Sequence, residues 1–324
     1  MPDQEIPDPE LVEEDDAADL PEDPHFPKTC QWTSERAALA HFASYYGATQ
    51  SQQHIKPLHW YVACRLVIEG GFRPDEITPR PPFDFKKKKG EWHLSYNPEL
   101  SRGGEATVLG GLKTKNVDIV VNKPGLGPVL AVSCKGMTGA FRNLTNRMEE
   151  TIGECTNLHI TYPAMVFGYL FVIRANRLIE QAVAIAGDED APAARQLKAN
   201  DIAMAAGGEP VESIIRFHSA LRELTGRRGI RNDVSRYEAV SLALVEMADA
   251  EMGALLPTYP DEDSPLRLER FFETLYLRYD ERYVYSAPDL KSVTQRLEWS
   301  PNSAALQIGD KGPPPIDYAP RLAE

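Results

Sequence analysis

The stretch 164–173, AMVFGYLFVI, is a nearly unbroken apolar run bounded by Pro163 and Arg174. It is far shorter than the roughly 18 residues a membrane span requires, and it reads as a strand buried on both faces of a sheet. Such a strand needs covering layers on two sides, which points to an α/β fold with a mixed sheet flanked by helices.

Upstream lie two more apolar runs: N-V-D-I-V-V, which holds Asp118, and V-L-A-V-S-C-K-G, which closes on Lys135. The linker Asn122-Lys123-Pro124-Gly125-Leu126-Gly127-Pro128 is rich in turn formers, so 117–121 and 129–135 read as a hairpin. Side chains alternate along a strand, so Ser133 and Lys135 share one face and Cys134 takes the other, with Asp118 brought beside the first pair. The helix that follows, R-N-L-T-N-R-M-E-E-T-I-G-E-C, carries an apolar stripe of Leu144, Met148, Ile152 and Cys155. None of Glu149, Glu150 and Glu154 lies deep within that stripe at about 100° per residue, and periodicity leaves the three open.

Strand, turn, strand, helix, strand with an Asp and a Lys at these places resembles the PD-(D/E)XK nuclease superfamily over about residues 60–180. The match departs from that pattern at Ser133, where an acid is expected. Ser133-x-Lys135 followed after thirteen residues by Glu149 is similar to the CCGG group of type II restriction endonucleases, in which the acid has migrated to the helix. That likeness implies a restriction-endonuclease-like core with helical N- and C-terminal additions. It implies Mg²⁺, with Mn²⁺ able to substitute, held by Asp118, Glu149 and the Cys134 backbone carbonyl, with Lys135 orienting water and Ser133 assisting by hydrogen bonding. Superfamily members often bring a glutamate from an N-terminal helix, and Glu69, ending H-W-Y-V-A-C-R-L-V-I-E, is the candidate for a second cation. Phosphodiester hydrolysis suits such a set, since carboxylates hold a hard cation and a lysine offsets charge on the phosphorane.

Double-stranded DNA is the expected substrate. Lys113 and Lys115 precede Asp118, and Arg142, Asn146 and Arg147 open the helix beside it; arginine holds phosphate and asparagine reads an adenine edge, while plain helix-surface contacts and capping account for the same residues. Cutting both strands requires two sites, hence a homodimer or homotetramer. The roles open to such an enzyme are restriction and anti-phage defence with a partner subunit; the competing reading is a catalytically inactive, nuclease-like interaction subunit.

The 324 residues carry a formal net charge of −13, which sits badly with a DNA enzyme. Eleven acids from Asp3 to Asp23 precede Lys28, the first basic residue, and without them the charge is −2. Residues 1–24 therefore read as a disordered acidic tail, serving as a solubilising arm or as a competitor of DNA phosphates. Cys30, Cys64, Cys134 and Cys155 show no C-x-x-C pairing, against both a zinc ribbon and a disulfide scaffold. No signal peptide opens the chain, so a cytoplasmic protein without membrane attachment is expected. Seven histidines form no zincin or HNH pattern, no P-loop is present, and the spacing of Ser133 and Lys135 on a strand does not suit a Ser-Lys hydrolase.

Residues 25–105 read as an N-terminal helical layer, with amphipathic helices at 33–46 and 56–69, then a Pro-rich connection and a lysine tip at 86–89. The core is placed at 106–180. Residues 181–299 read as mostly helical, including 211–224, a helix opening at the capping box Ser235-Arg236-Tyr237-Glu238, and 265–276, with a short strand at 283–285. Residues 300–324 read as an extended tail.

Overall fold

The computed structural model describes residues 23–323 apart from 48, 140, 178–196, 198, 232, 249 and 308–315, and it leaves out the Arg142 side chain. The acidic residues 1–22 and most of the Ala-rich stretch at 187–206 thus lie outside the described residues.

Helix α1 (Glu35–Ser44) is opened by Ser34, whose Oγ accepts from the Ala37 N–H at 3.2 Å. Helix α2 (Lys56–Ile68) follows, with Gly71 at φ +68° just beyond it. The expected amphipathic face is not what α2 shows: every residue but Lys56 and Arg65 is buried, as befits a helix packed between layers. After the short strand β1 (Ile77–Thr78), strands β2 (Phe83–Lys88) and β3 (Glu91–Tyr96) form a hairpin, and the lysine run is its tip, with Lys89 and Gly90 both at positive φ.

Strands β4 (Ala106–Leu109) and β5 (Thr114–Val117) pair with each other, and β6 (Ile119–Lys123) and β7 (Gly127–Met137) form the expected hairpin. Helix α3 (Leu144–Thr161) returns the chain to strand β8 (Val166–Arg174), which runs parallel to β7 and is buried at all nine residues. The sheet order is β1-β6-β7-β8 and then β9 (Ala239–Val245), a mixed sheet with β9 parallel to β8. Helices α4 (Glu212–Leu224) and α5 (Leu268–Tyr279) complete the layers.

Period-two alternation sorts the two cores. Leu130, Val132 and Cys134 of β7 face α1, α2 and α5, while Ala131 and Met137 face α3 and α4. Gly168 is required by that packing, because a Cβ there would lie 2.8 Å from the Phe271 ring of α5. All four cysteines are free and buried. No helix among the described residues is long and apolar enough to cross a membrane.

Three expectations for the C-terminal half are corrected. Ser235–Glu238 opens a strand rather than a helix: Ser235 Oγ donates to Asp233, Glu238 is fully buried, and the run AVSLALV is sealed on both faces as β9. Residues 280–285 form a π-helical turn continuing α5, not a strand. The final segment is extended but docked, since the Arg321 N–H donates to the Ile68 carbonyl and the Trp299 N–H to the Arg321 carbonyl.

Candidate active site

The site forms where the chain leaves the sheet. Strand β5 pairs with β4 and β6 with β7, and Asp118 is the residue at which they part. The β6–β7 ladder ends at Ile119 opposite Val132, so among the described residues β6 does not pair with β7 beyond that point. The Asp118 carboxylate lies there, with Oδ2 accepting the Cys134 N–H at 2.8 Å. In an extended strand one residue's N–H and C=O point to the same side, so the Cys134 carbonyl is directed to that side too.

Ser133 lies on the α3 face and is fully buried. Its Oγ is 3.3 Å from Asp118 Oδ2 and 3.2 Å from Glu154 Oε1, so one hydroxyl, with one proton to donate, joins two carboxylates. Lys135 Nζ stands 3.9 Å from Asp118 Oδ2, and Lys115 Nζ stands 3.7 Å from Glu154 Oε2. Both separations exceed hydrogen-bond length. Two acids and two lysines thus meet around Ser133.

The helical acid in the site is Glu154, not Glu149. Glu154 is 6 % exposed, whereas Glu149 lies on the outer surface of α3. Five residues of α-helix separate them, which is about 140° of rotation and about 7.5 Å of rise. Glu150, one turn before Glu154, is exposed and bound by Arg147 at 2.7 Å. Glu69 is also elsewhere: its carboxylate takes both Arg65 nitrogens, at 2.6 and 3.0 Å, and the Tyr276 hydroxyl. It caps the far end of α2, about 15 Å along the helix from His59, the α2 residue that does face Asp118.

His59 had no motif to mark it. Its Nε2 is 3.9 Å from Asp118 Oδ1 and is buried without a hydrogen-bond partner. Beside it Lys56 Nζ bonds Glu105 Oε1 at 3.1 Å. Of the residues expected at DNA, Lys113 is exposed and its backbone is held by Asn157, Lys115 is half-buried in the site, and Asn146 and Arg147 are exposed at the start of α3.

Burial acts to raise the Asp118 pKa, but His59, Lys135 and the Cys134 N–H outweigh it and hold the carboxyl below its ordinary value. Burial pushes His59 down to about 4, so near neutral pH the imidazole is uncharged and the positive charges felt by Asp118 are those of Lys135 and Lys56. Burial would also lower Lys135, yet Asp118, Glu154 and Glu150 raise it overall, which keeps it an ammonium. Glu154 goes the other way: burial raises its pKa against the pull of Lys135 and Lys115.

Two carboxylates and a backbone carbonyl are hard oxygen donors that fit a small divalent cation. No cluster of three or more His, Cys, Asp or Glu side chains suited to a metal occurs among the described residues. No protein-family model matches this chain, and no curated protein or solved structure matches it either.

Proposed function

We propose that the protein is a metal-dependent endonuclease with a restriction-endonuclease-like core, acting on DNA in restriction or anti-phage defence. The observation that carries this reading is the convergence of Asp118 and Glu154 on Ser133, with Lys135 beside them on β7. Asp118, Glu154 and the Cys134 carbonyl would hold Mg²⁺ or Mn²⁺. When bound, such an ion polarises a phosphoryl oxygen and acidifies water. Lys135, kept protonated, donates to the attacking water or to a non-bridging oxygen and offsets the charge that builds up there; it is a positioning group, not a base. Ser133 holds the two carboxylates at a fixed separation. Water's oxygen forms the new bond to phosphorus, the bond to the leaving oxygen breaks, and that oxygen takes up the proton water gives. Lys113, Asn146 and Arg147, all exposed, would contact the DNA strand, and two copies of the chain would supply the two sites a double-strand cut needs.

A second reading has its own support. Each acid already has a lysine counter-ion, Asp118 with Lys135 and Glu154 with Lys115, and a self-neutralised cluster is what a catalytically inactive interaction subunit would keep. Cleavage of supercoiled plasmid decides between them. The expected result is nicking that requires Mg²⁺, stops in EDTA and falls at least about 100-fold in Lys135→Ala, the scale for removing one charge-stabilising donor. No nicking with any divalent ion would favour the inactive subunit, and equal activity in Lys135→Ala would put the cleavage outside this cluster.

Thermal denaturation gives a metal readout independent of cleavage. A ligand at 100 times its Kd stabilises by about 2.7 kcal/mol, so saturating Mn²⁺ should raise the Tm of the wild type and not that of Asp118→Ala. The increase should be larger near neutral pH than in acid. Glu154 has a raised folded pKa, so the stability its proton contributes is present at low pH and lost as pH rises through that value. The metal competes with that proton and gains as it leaves. A shift independent of pH would be against Glu154 as a ligand.

A further inference from the structure

A cavity of about 400 Å³ lies against the N-terminal end of α2, within the range of small-ligand pockets. One wall is aromatic: Phe26 stacks on Trp60 with ring centroids 5.4 Å apart and planes 22° from parallel. The rest includes Ser51, Gln53, Lys56 and His59. His59 is shared by the cavity and the carboxylate site, since it lines the one and its Nε2 stands 3.9 Å from Asp118 of the other. That nitrogen is buried and unpartnered, and a buried polar atom left so is costly unless a ligand or water supplies the partner.

From this juxtaposition we propose that the cavity binds one unstacked nucleotide of a DNA strand, and that strands offering an unpaired nucleotide are the preferred substrate of the site proposed above, on which this inference rests. A base has a π-face for the Phe26–Trp60 wall, sugar and base edges have donors and acceptors for Ser51 and His59, and a phosphate has Lys28 and Lys56, the latter drawn from its present bonds to Glu105 and Gln52. The volume admits a single nucleotide and excludes stacked base pairs, so a duplex has to release one nucleotide into it. Binding there sets the adjoining phosphate on the His59 side of Asp118, where the carboxylate site begins.

The test is calorimetric titration of the full chain with thymidine 3′,5′-bisphosphate in EDTA, so that binding is read without turnover. The expected result is saturable binding that Phe26→Ala weakens about tenfold or more, because stacking on an aromatic ring is worth about 1–3 kcal/mol per base. Ser51→Trp, which fills the cavity and leaves Phe26 and Trp60 in place, should abolish it, while Lys87→Ala at the β2–β3 tip should not change it. If Phe26→Ala does not fold, Ser51→Trp decides alone. No saturable binding to the wild type, or binding unaffected by Ser51→Trp, overturns the pocket. Metal-dependent cleavage with no nucleotide binding would overturn the pocket alone, and binding with no cleavage would keep the pocket and remove the nuclease reading. Cleavage of single-stranded oligonucleotides and of fully paired hairpins then gives the preference, expected to favour the single strand.

Discussion

Glu154→Gln should lower metal-dependent cleavage by about 10³-fold or more, while Glu149→Gln should leave it within about twofold. The two glutamates lie on one helix five residues apart, so substituting either has the same small effect on helix propensity. What differs is where they point. Glu154 Oε1 is within 3.2 Å of the Ser133 hydroxyl that also reaches Asp118, whereas Glu149 is on the exposed face. Losing one of two carboxylates from a cation site forfeits several kcal/mol of charge stabilisation, and each 1.36 kcal/mol is tenfold in rate. Gln keeps the shape and an oxygen for Ser133 and stays neutral as a buried group prefers, so the fold should persist with a melting temperature no lower than that of the wild type. Initial rates of plasmid nicking across Mg²⁺ concentrations would show it: the Glu154 variant should need far more metal or fail altogether. Full activity in Glu154→Gln with loss in Glu149→Gln would put the cation elsewhere and reverse the assignment.

Glu149 rests on its spacing after Lys135, because the stripe read in α3 leaves Glu149, Glu150 and Glu154 open; which stripe α3 buries is what decides among them. Reading Leu144, Met148, Ile152 and Cys155 as the inner face puts the seam through Ile152, but Ile152 is 38 % exposed. The inner face includes Leu144, Thr151, Cys155 and Leu158, so a threonine holds a position that hydropathy assigns outward. Thr151 is there because its hydroxyl bonds the buried Tyr169 hydroxyl at 2.8 Å. Turning the helix to that stripe brings Glu154 inward. A polar residue inside because of a partner on a distant strand leaves no periodic trace, and His59, one turn into an otherwise apolar helix, is the same case.

The hairpin, by contrast, was readable, because its signals are local. A Pro/Gly turn joins β6 to β7, and alternation places Ser133 and Lys135 on the side opposite Cys134. β8 was readable from its unbroken apolar run. Strand β9 was not: six apolar residues and a serine behind a Ser-x-x-Glu suit a helix as well as a strand, and only the open edge of β8 chooses between them.

The Glu238 that imitates a capping box is instead the centre of a buried ionic cluster, and replacing it should have the largest effect on stability. Its Oε1 accepts from Arg227 at 2.7 Å and from Arg282, and its Oε2 accepts the Phe167 N–H at 2.7 Å, with His159 Nε2 at 3.6 Å. These partners come from the end of α3, the start of β8, the loop after α4 and the turn after α5, so one carboxylate ties together the elements that seat β8 and β9 behind the site. Glu238→Ala leaves two guanidinium groups facing each other in a pocket from which water is excluded. Breaking a buried pair in this way costs about 3–5 kcal/mol, a large share of the roughly 5–15 kcal/mol a folded protein has, and should lower Tm by on the order of 10 °C. The pH dependence has a definite sign. Burial would raise the Glu238 pKa, but His159, Arg282 and the Phe167 N–H outweigh it and hold it below the ordinary carboxylate value. Its contribution is therefore complete above about pH 4.3, the value of an unperturbed glutamate, and is lost as pH falls through the lower folded value. Melting curves of wild type and Glu238→Ala should be farthest apart near neutrality and converge in acid. A constant gap across that range would mean that Glu238 acts through packing and not through charge.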